Sequence, residues 1–443
     1  MSASQPMMLE LENQRNYVAG SGNGVQFAVC LDQGGQKTME DCHSAVTALD
    51  EPFSCWSFFA VYDGHEGNAV SQWSAVQLPR FFLASHEMSQ LYKEHLPASE
   101  RDGLIRRGLL KGFLQMDEEL RGLPEMQADG GSGPRGGSTA SCALITPEWI
   151  YLVNCGDSRG VLVSRRTVVL ASRDHKPSLP AERQRIERAG FCVQRQRLDG
   201  RLAMSRSLGD FRYKAVATLD ALQQAVSPEP DIFRWERTVQ DEFILLASDG
   251  IWDVMETEAL CEDVGQWLEH TNDLQSVCAR AIDEAVMRDS RDNATVAMIA
   301  FPASVRMSPE KLQMETALDK IIELVVTDVV HWLENKSDED DVHVPDLQEL
   351  LCCTRTIMDE NGVSVPNNSG IGGKRHLIER TWNRMRSERL SVRCAMPSWC
   401  LSLMSRIKPR LAGRPPLPRT IDADALAAYV QARDADADRQ RGG

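Results

Sequence analysis

No stretch of this 443-residue chain approaches the about 18 consecutive apolar residues that a membrane-crossing helix needs. Its start, MSASQPMMLELENQRN, lacks the basic head and apolar core of a secretory signal. Ser2 stands where a myristoylated glycine would be required. Basic charge is in deficit: 49 Lys and Arg against 64 Asp and Glu give a net charge of −15 and a pI near 5.2. A general nucleic-acid binder is normally basic, so no nucleic-acid partner is expected. The same acidity repels a phosphorylated substrate unless metal ions or a local basic patch intervene. The twelve cysteines include no CxxC pair, and Cys142, Cys155 and Cys192 sit in apolar runs. Buried, reduced thiols in a cytoplasmic and/or nuclear protein are therefore expected.

What is present is ordinary for a globular chain: 42% hydrophobic and 26% charged residues. Wholesale disorder and collagen-like repeats are excluded. The length predicts one large domain with an appendage, or two domains. Residues 1–24 are polar, end in Gly-Ser-Gly-Asn-Gly and read as a flexible lead. Short β-type runs follow at 25–30, 43–49, 57–63, 141–146, 149–155, 160–164, 242–248 and 294–301. Spacing near 3.6 predicts helices over 68–84, 103–121, 181–189, 257–270 and 273–287. Many strands and several helices in one stretch predict a mixed α/β domain of packed layers. After Pro302 the pattern becomes helical (309–336, 345–360, 374–388), as in a small helical domain. Residues 391–443 read as a disordered tail. Its basic residues, with Lys374 and Arg375 before it, suit a nuclear-targeting or anionic-surface role, or merely a sticky tail.

Carboxylates recur where a strand meets a loop. Asp63 follows SFFAVY, Asp249 follows FILLAS, Asp292 precedes the last strand, and Glu40 and Asp41 precede the strand near His43. A rigid strand holds such a side chain in a fixed place, and a following glycine lets backbone approach closely. Several acids converging without a Cys/His pair favour Mg²⁺ or Mn²⁺ over zinc. The competing reading is that Asp-Gly marks a hairpin turn, as expected for Asp199-Gly200. Spacing alone leaves both open.

The text around the acids is more specific. EDCH (40–43), VYDGHEG (61–67), GGSTASCALI (136–145), YLVNCGDSRG (151–160), RLAMSRSLGDF (201–211), SPEPDI (227–232), ASDGIWDVM (247–255) and SRDNATV (290–296) come in fixed order. Together they closely resemble the metal-dependent serine/threonine protein phosphatases of type 2C. SPEKLQMETALDKIIELVV and KRHLIERTWNRM resemble the helical C-terminal domain of the alpha/beta subgroup. The resemblance implies an α+β fold, a four-layer α-β-β-α sandwich of two antiparallel sheets. It implies domains at 25–302 and 303–390, the second of three helices. Phosphorylated proteins are the implied substrates, and a monomer is expected.

It also implies roles. Asp63 matches a carboxylate bridging two Mg²⁺ or Mn²⁺ ions, Gly64 a carbonyl ligand, and Asp249 and Asp292 ligands of the second ion. Glu40 and Asp41 match acids that hold metal-bound waters. Asp157 and Asp253 match a weaker third site. A water or hydroxide between the ions attacks phosphorus directly, and His65 matches the acid that protonates the leaving alkoxide. Arg206 matches a position beside the site, residues 212–226 match a flap, and Trp252 reads as core. Two departures stand out. Gln36 takes the place of a phosphate-gripping arginine, with Lys37 next to it as a partial substitute. Glu66 replaces a small residue and faces either the metals or solvent. They motivate an alternative, a pseudophosphatase that captures phosphoproteins without hydrolysing them.

Overall fold

The computed structural model describes residues 15–91, 96–123 and 136–304, and beyond them 319–320, 322–327, 354, 377–378 and 381–382. In chain order the elements begin β1 (Asn16–Gly22), β2 (Val25–Asp32), β3 (Cys42–Val46), β4 (Ser57–Tyr62) and β5 (Gly64–His65). Helices α1 (Ala69–Ala84), α2 (His86–Gln90) and α3 (Ala98–Gly122) follow. Then come β6 (Gly137–Ser138), β7 (Ala140–Ile145), β8 (Trp149–Cys155), β9 (Arg159–Ser164), β10 (Thr167–Ala171), α4 (Pro180–Arg188), β11 (Val193–Gln194), β12 (Arg197–Leu198) and β13 (Leu208–Gly209). The last are β14 (Asp231–Glu236), β15 (Asp241–Ala247), α5 (Asp249–Trp252), α6 (Thr257–Trp267), α7 (Leu274–Met287) and β16 (Ala294–Ala300).

Two antiparallel sheets make the centre. One runs β1-β2-β16-β15-β9-β10 and the other β14-β8-β7-β4-β3. Inner strands such as β2, β4, β8 and β15 are apolar along almost every position because both faces are covered, whereas the edge strands β1 and β14 are largely exposed or half-buried. Val29, Phe59, Val61, Ile150, Leu152, Ile244 and Ala297 form the core between the sheets. The other face of the five-stranded sheet packs through Phe58, Tyr62 and Tyr151 on Leu78, Phe82, Ile105 and Phe113 of α1 and α3. The outward residues of the six-stranded sheet, among them Ala28, Cys30 and Met298, are buried too. The α+β fold with antiparallel sheets read from the resemblance is thus present.

The segment just before Gly24, expected to be flexible, is instead ordered from Asn16 onward. Asn16–Gly22 pairs with β2 in full register, and Asn23-Gly24 makes the turn with φ of 48° and 74°. Glycines and serine suggested a loop, but Asn-Gly is the strongest short hairpin signal. The chain divides into two compact units, 1–265 with 281–304, and 266–280 with 305–443. The three helices expected within 303–390 and the tail at 391–443 lie outside the described residues, save the few positions named above. Among the described residues no helix is long and apolar enough to cross a membrane.

Candidate active site

Buried β4 ends at Tyr62 and delivers Asp63 to the edge of the sandwich. The Asp63 amide donates to Thr139 Oγ1 (3.1 Å), and its carbonyl accepts from the Thr139 amide (2.9 Å). Asp63-Gly64 is not a hairpin turn, since Gly64 in β5 pairs with Ser138 in β6. A Cβ on Gly64 would strike the Glu40 carbonyl. Buried β15 delivers Asp249 at the start of α5, and a Cβ on Gly250 would strike the Asn293 carbonyl. Both Asp-Gly pairs therefore mark close backbone approach, whereas Asp199 and Gly200 have φ of 48° and 70° and do form a turn.

The acids drawn from strand ends come together. Burial raises Asp63 well above the ordinary carboxylate range, reinforced by Asp249, Asp41 and Asp157. Asp249 is pushed up to about 8 by burial and then by Asp157, Asp253 and Asp292. Asp41 is raised to about 6 by burial, although Thr295 Oγ1 (2.7 Å) and Ser248 Oγ (2.9 Å) donate to its Oδ2. Asp253 is raised by burial and Asp157. Like charges packed this closely disfavour ionisation, and only added positive charge reverses that. Lys176 supplies some: its Nζ lies 2.6 Å from Asp157 and 3.9 Å from Asp253.

The donor set fits hard cations. Asp41 Oδ1 and Asp157 Oδ1 are buried without a hydrogen-bond partner, and every converging side chain offers oxygen. Among the described residues no three His, Cys, Asp or Glu side chains close into a ready cage. That is compatible with Mg²⁺-type binding, where one or two carboxylates act and waters fill the remaining positions.

His65 Nε2 lies 2.8 Å from Asp210 Oδ2, which also accepts from Ser207 Oγ (2.6 Å). The imidazole is 21% exposed, and its Nδ1 has no protein partner. Burial disfavours the imidazolium, but Asp210 outweighs it and raises the His65 pKa above 6.5. Glu40 holds the adjoining turn: Oε2 accepts from the Gly67 amide (3.0 Å), and its carbonyl accepts from Ser71 Oγ. Asn293 fastens the 33–40 loop, accepting from the Glu40 amide and donating to the Gln33 and Thr38 carbonyls.

The two departures resolve differently. Glu66 is 44% exposed and pairs with Arg212 at 3.1 Å, so its carboxylate is engaged by a cation of the flap. Gln36 Nε2 donates to Asp292 Oδ1 (2.9 Å), which also accepts from the Asn293 amide. Lys37 is exposed. Arg206 is engaged by Glu182 (2.7 Å) and Asp231 (3.1 Å), so it ties α4 to β14 and is no free cation. Trp252 is buried, as expected of core. Asp210, Lys176, Asn293 and Arg212 were not singled out from sequence. Asp210 and Asn293 lie within the recognised text RLAMSRSLGDF and SRDNATV, but only proximity across the fold gives them and Lys176 their partners.

A family model described as protein phosphatase 2C matches residues 25–294, and one described as the protein serine/threonine phosphatase 2C C-terminal domain matches 295–383. Human protein phosphatase 1A is 40% identical over 373 residues, covering 84% of this chain and 93% of the relative. Mouse protein phosphatase 1B is 36% identical over 374 residues, with the same coverage. Among solved structures, a serine-threonine phosphatase 2C from Toxoplasma gondii matches with TM-score 0.53 at 21% identity, covering 65% of this chain and 99% of the other. At that identity the likeness concerns the fold.

Proposed function

The chain belongs to the protein phosphatase 2C family and is a serine/threonine protein phosphatase; from that premise we propose how its site hydrolyses phosphoserine and phosphothreonine. The observation that carries the reading is the convergence of Asp41, Asp63, Asp157, Asp249, Asp253 and Asp292 beside a histidine held on a carboxylate. Asp63, Asp249, Asp292 and the Gly64 carbonyl would hold two divalent cations, with Asp157 and Asp253 available to a third. When bound, Mg²⁺ or Mn²⁺ neutralises phosphoryl oxygens and brings water toward ionisation near neutral pH. Asp41 would orient water through Oδ1, the oxygen left over from its contacts to Thr295 and Ser248, and Glu40 would do so through the remaining lone pairs of a carboxylate that also accepts from Thr38 and Gly67. His65 carries a proton suited to the leaving seryl or threonyl oxygen, a poor leaving group as an alkoxide. Asp210, which faces Nε2, fixes the ring and favours the imidazolium, so the proton to be transferred sits on the unpartnered Nδ1.

The test is hydrolysis of a phosphothreonine peptide by the purified full chain with Mn²⁺, with EDTA, and with Asp249→Asn. Activity that requires Mn²⁺ and falls to background in the variant is expected. Activity that persists in both controls sinks the proposed site.

The pseudophosphatase alternative loses one of its motives, because Glu66 is neutralised by Arg212. Gln36 predicts a weakened enzyme instead. Gln36→Arg adds a charge-assisted, two-pronged phosphate contact in place of a neutral amide. It is expected to raise kcat/KM roughly tenfold or more, equivalent to about 1.5 kcal/mol or above. No gain in steady-state kinetics makes the position irrelevant to phosphate binding.

A further inference from the structure

The segment from Arg188 to Lys214 carries seven Arg or Lys residues and only two carboxylates, in a chain of net charge −15. Both carboxylates are engaged: Asp210 on His65, and Asp199 on the Cys192 amide. Two of the cations are held within the fold, Arg206 by Glu182 and Lys214 by Asp117. Arg188, Arg195, Arg197 and Arg201 are exposed, and no carboxylate pairs with any of them among the described residues. Arg212 has Glu66.

The local fold gathers four of these around one small core. Val193 pairs with Leu198 and Gln194 with Arg197, so Arg195-Gln196 forms the tip of a two-residue hairpin. Both tip residues are left-handed, with φ of 49° and 64°. Asparagine or glycine takes that conformation more easily than arginine. Arg197 donates to the Arg201 carbonyl at 2.8 Å, which holds the two arginines side by side. Arg212 lies over the Tyr213 ring at 4.6 Å. Beneath them Ile186, Leu198, Leu202, Met204, Tyr213 and Val226 make a small core that fixes the hairpin and the loop together. The shared core thus ties the hairpin and loop that carry Arg195, Arg197 and Arg201 to Tyr213, whose neighbour Arg212 is paired with the residue next to His65.

We propose that Arg212, Arg201, Arg197 and Arg195 form a docking track for anionic side chains that flank the phosphorylated residue of a protein substrate. The inference rests on the phosphatase reading and adds a substrate class to it. Arginine forks accept carboxylates and phosphates alike, often through two parallel bonds. A short peptide meets this row and little else. A membrane surface or a duplex presents anionic charge over a much wider area, which the net −15 of the chain repels. The track also answers the loss of a phosphate-gripping arginine at position 36: affinity shifts to residues outside the reacting centre.

The test uses the full chain and three fluorescent phosphothreonine peptides whose flanks are glutamate, phosphoserine or alanine. Anisotropy in EDTA reads binding without turnover, and kcat/KM with Mn²⁺ reads catalysis. The expected preference of the anionic peptides over the alanine peptide is about tenfold, from several exposed charge pairs acting together. It falls in KM and weakens with salt. R195A/R197A/R201A removes it and R195E/R197E/R201E reverses it, each read as a ratio within one protein so that general losses cancel. Tighter binding of the phosphoserine peptide identifies multiply phosphorylated substrates, and equal binding identifies acidic ones. No preference in the wild type, or an unchanged ratio in both variants, overturns the track. Binding to phosphatidylserine vesicles without any peptide preference also overturns it. A binding preference without turnover of any peptide leaves the track standing and overturns the phosphatase reading instead.

Discussion

Asp63→Asn is expected to lower kcat for a phosphothreonine peptide roughly 10³-fold, equivalent to about 4 kcal/mol of transition-state stabilisation. The side chain sits among Asp249, Asp41 and Asp157, which together hold its carboxyl well above the ordinary range after burial has raised it. A second measurement separates this role from a folding role. Without metal, the substitution removes one member of a like-charge cluster, so the thermal midpoint is expected to stay level or rise. With Mn²⁺ the wild type gains stability by mass action, about 2.7 kcal/mol at a hundredfold excess over Kd, and the variant gains much less. A variant that is less stable without metal but still responds fully to Mn²⁺ would show Asp63 to be a structural acid.

His65→Asn is expected to lower kcat for phosphothreonine peptides by about 10²- to 10⁴-fold, the usual range for a lost general acid. A nitrophenyl phosphate ester, whose leaving group needs no proton, is expected to lose far less. Equal losses on both substrates would remove His65 from the proton-donor role. The pH dependence follows from its neighbours Asp210, Asp157 and Glu66, all of which favour the imidazolium against burial. The folded pKa lies above 6.5, so the protonated, active form persists until pH rises through that raised value. Asp210→Asn removes the largest opposing charge, leaves burial to dominate, and moves the alkaline limb of kcat to lower pH. Comparison at one Mn²⁺ concentration keeps the effect of bound cations constant. The ion pair's contribution to stability has the same sign: it is fully present below about pH 6.5 and is lost as pH rises through the folded value. An alkaline limb that stays put in Asp210→Asn would show that another group governs it.

Much of the fold was legible because its signals are local. The predicted helix over 68–84 forms at Ala69–Ala84, and the strand over 294–301 at Ala294–Ala300. Apolar periodicity fixes which face is buried, and that requires no knowledge of the partner. Asp63, Asp249 and Asp41 were visible for the same reason, as charges placed abruptly at the ends of apolar strands. The hairpin at Asn23-Gly24 was misread because its strand is glycine-rich and its partner strand supplies most of the apolar pattern.

The sequence by itself determined the layered sandwich, the carboxylates at its edge and the family text around them, since each is encoded within a few neighbouring residues. Only the tertiary structure decided what those residues face. His65 and Asp210 are 145 positions apart, Glu66 and Arg212 146, and Gln36 and Asp292 256. Electrostatic pairing depends on distance in space, and chain separation does not reveal that distance until the two sheets have closed on each other. Hence Glu66, ambiguous as a residue beside a histidine, became one end of an ion pair to the flap. The exposed Arg197 and Arg201 came side by side only when the hairpin and the turn after it had folded.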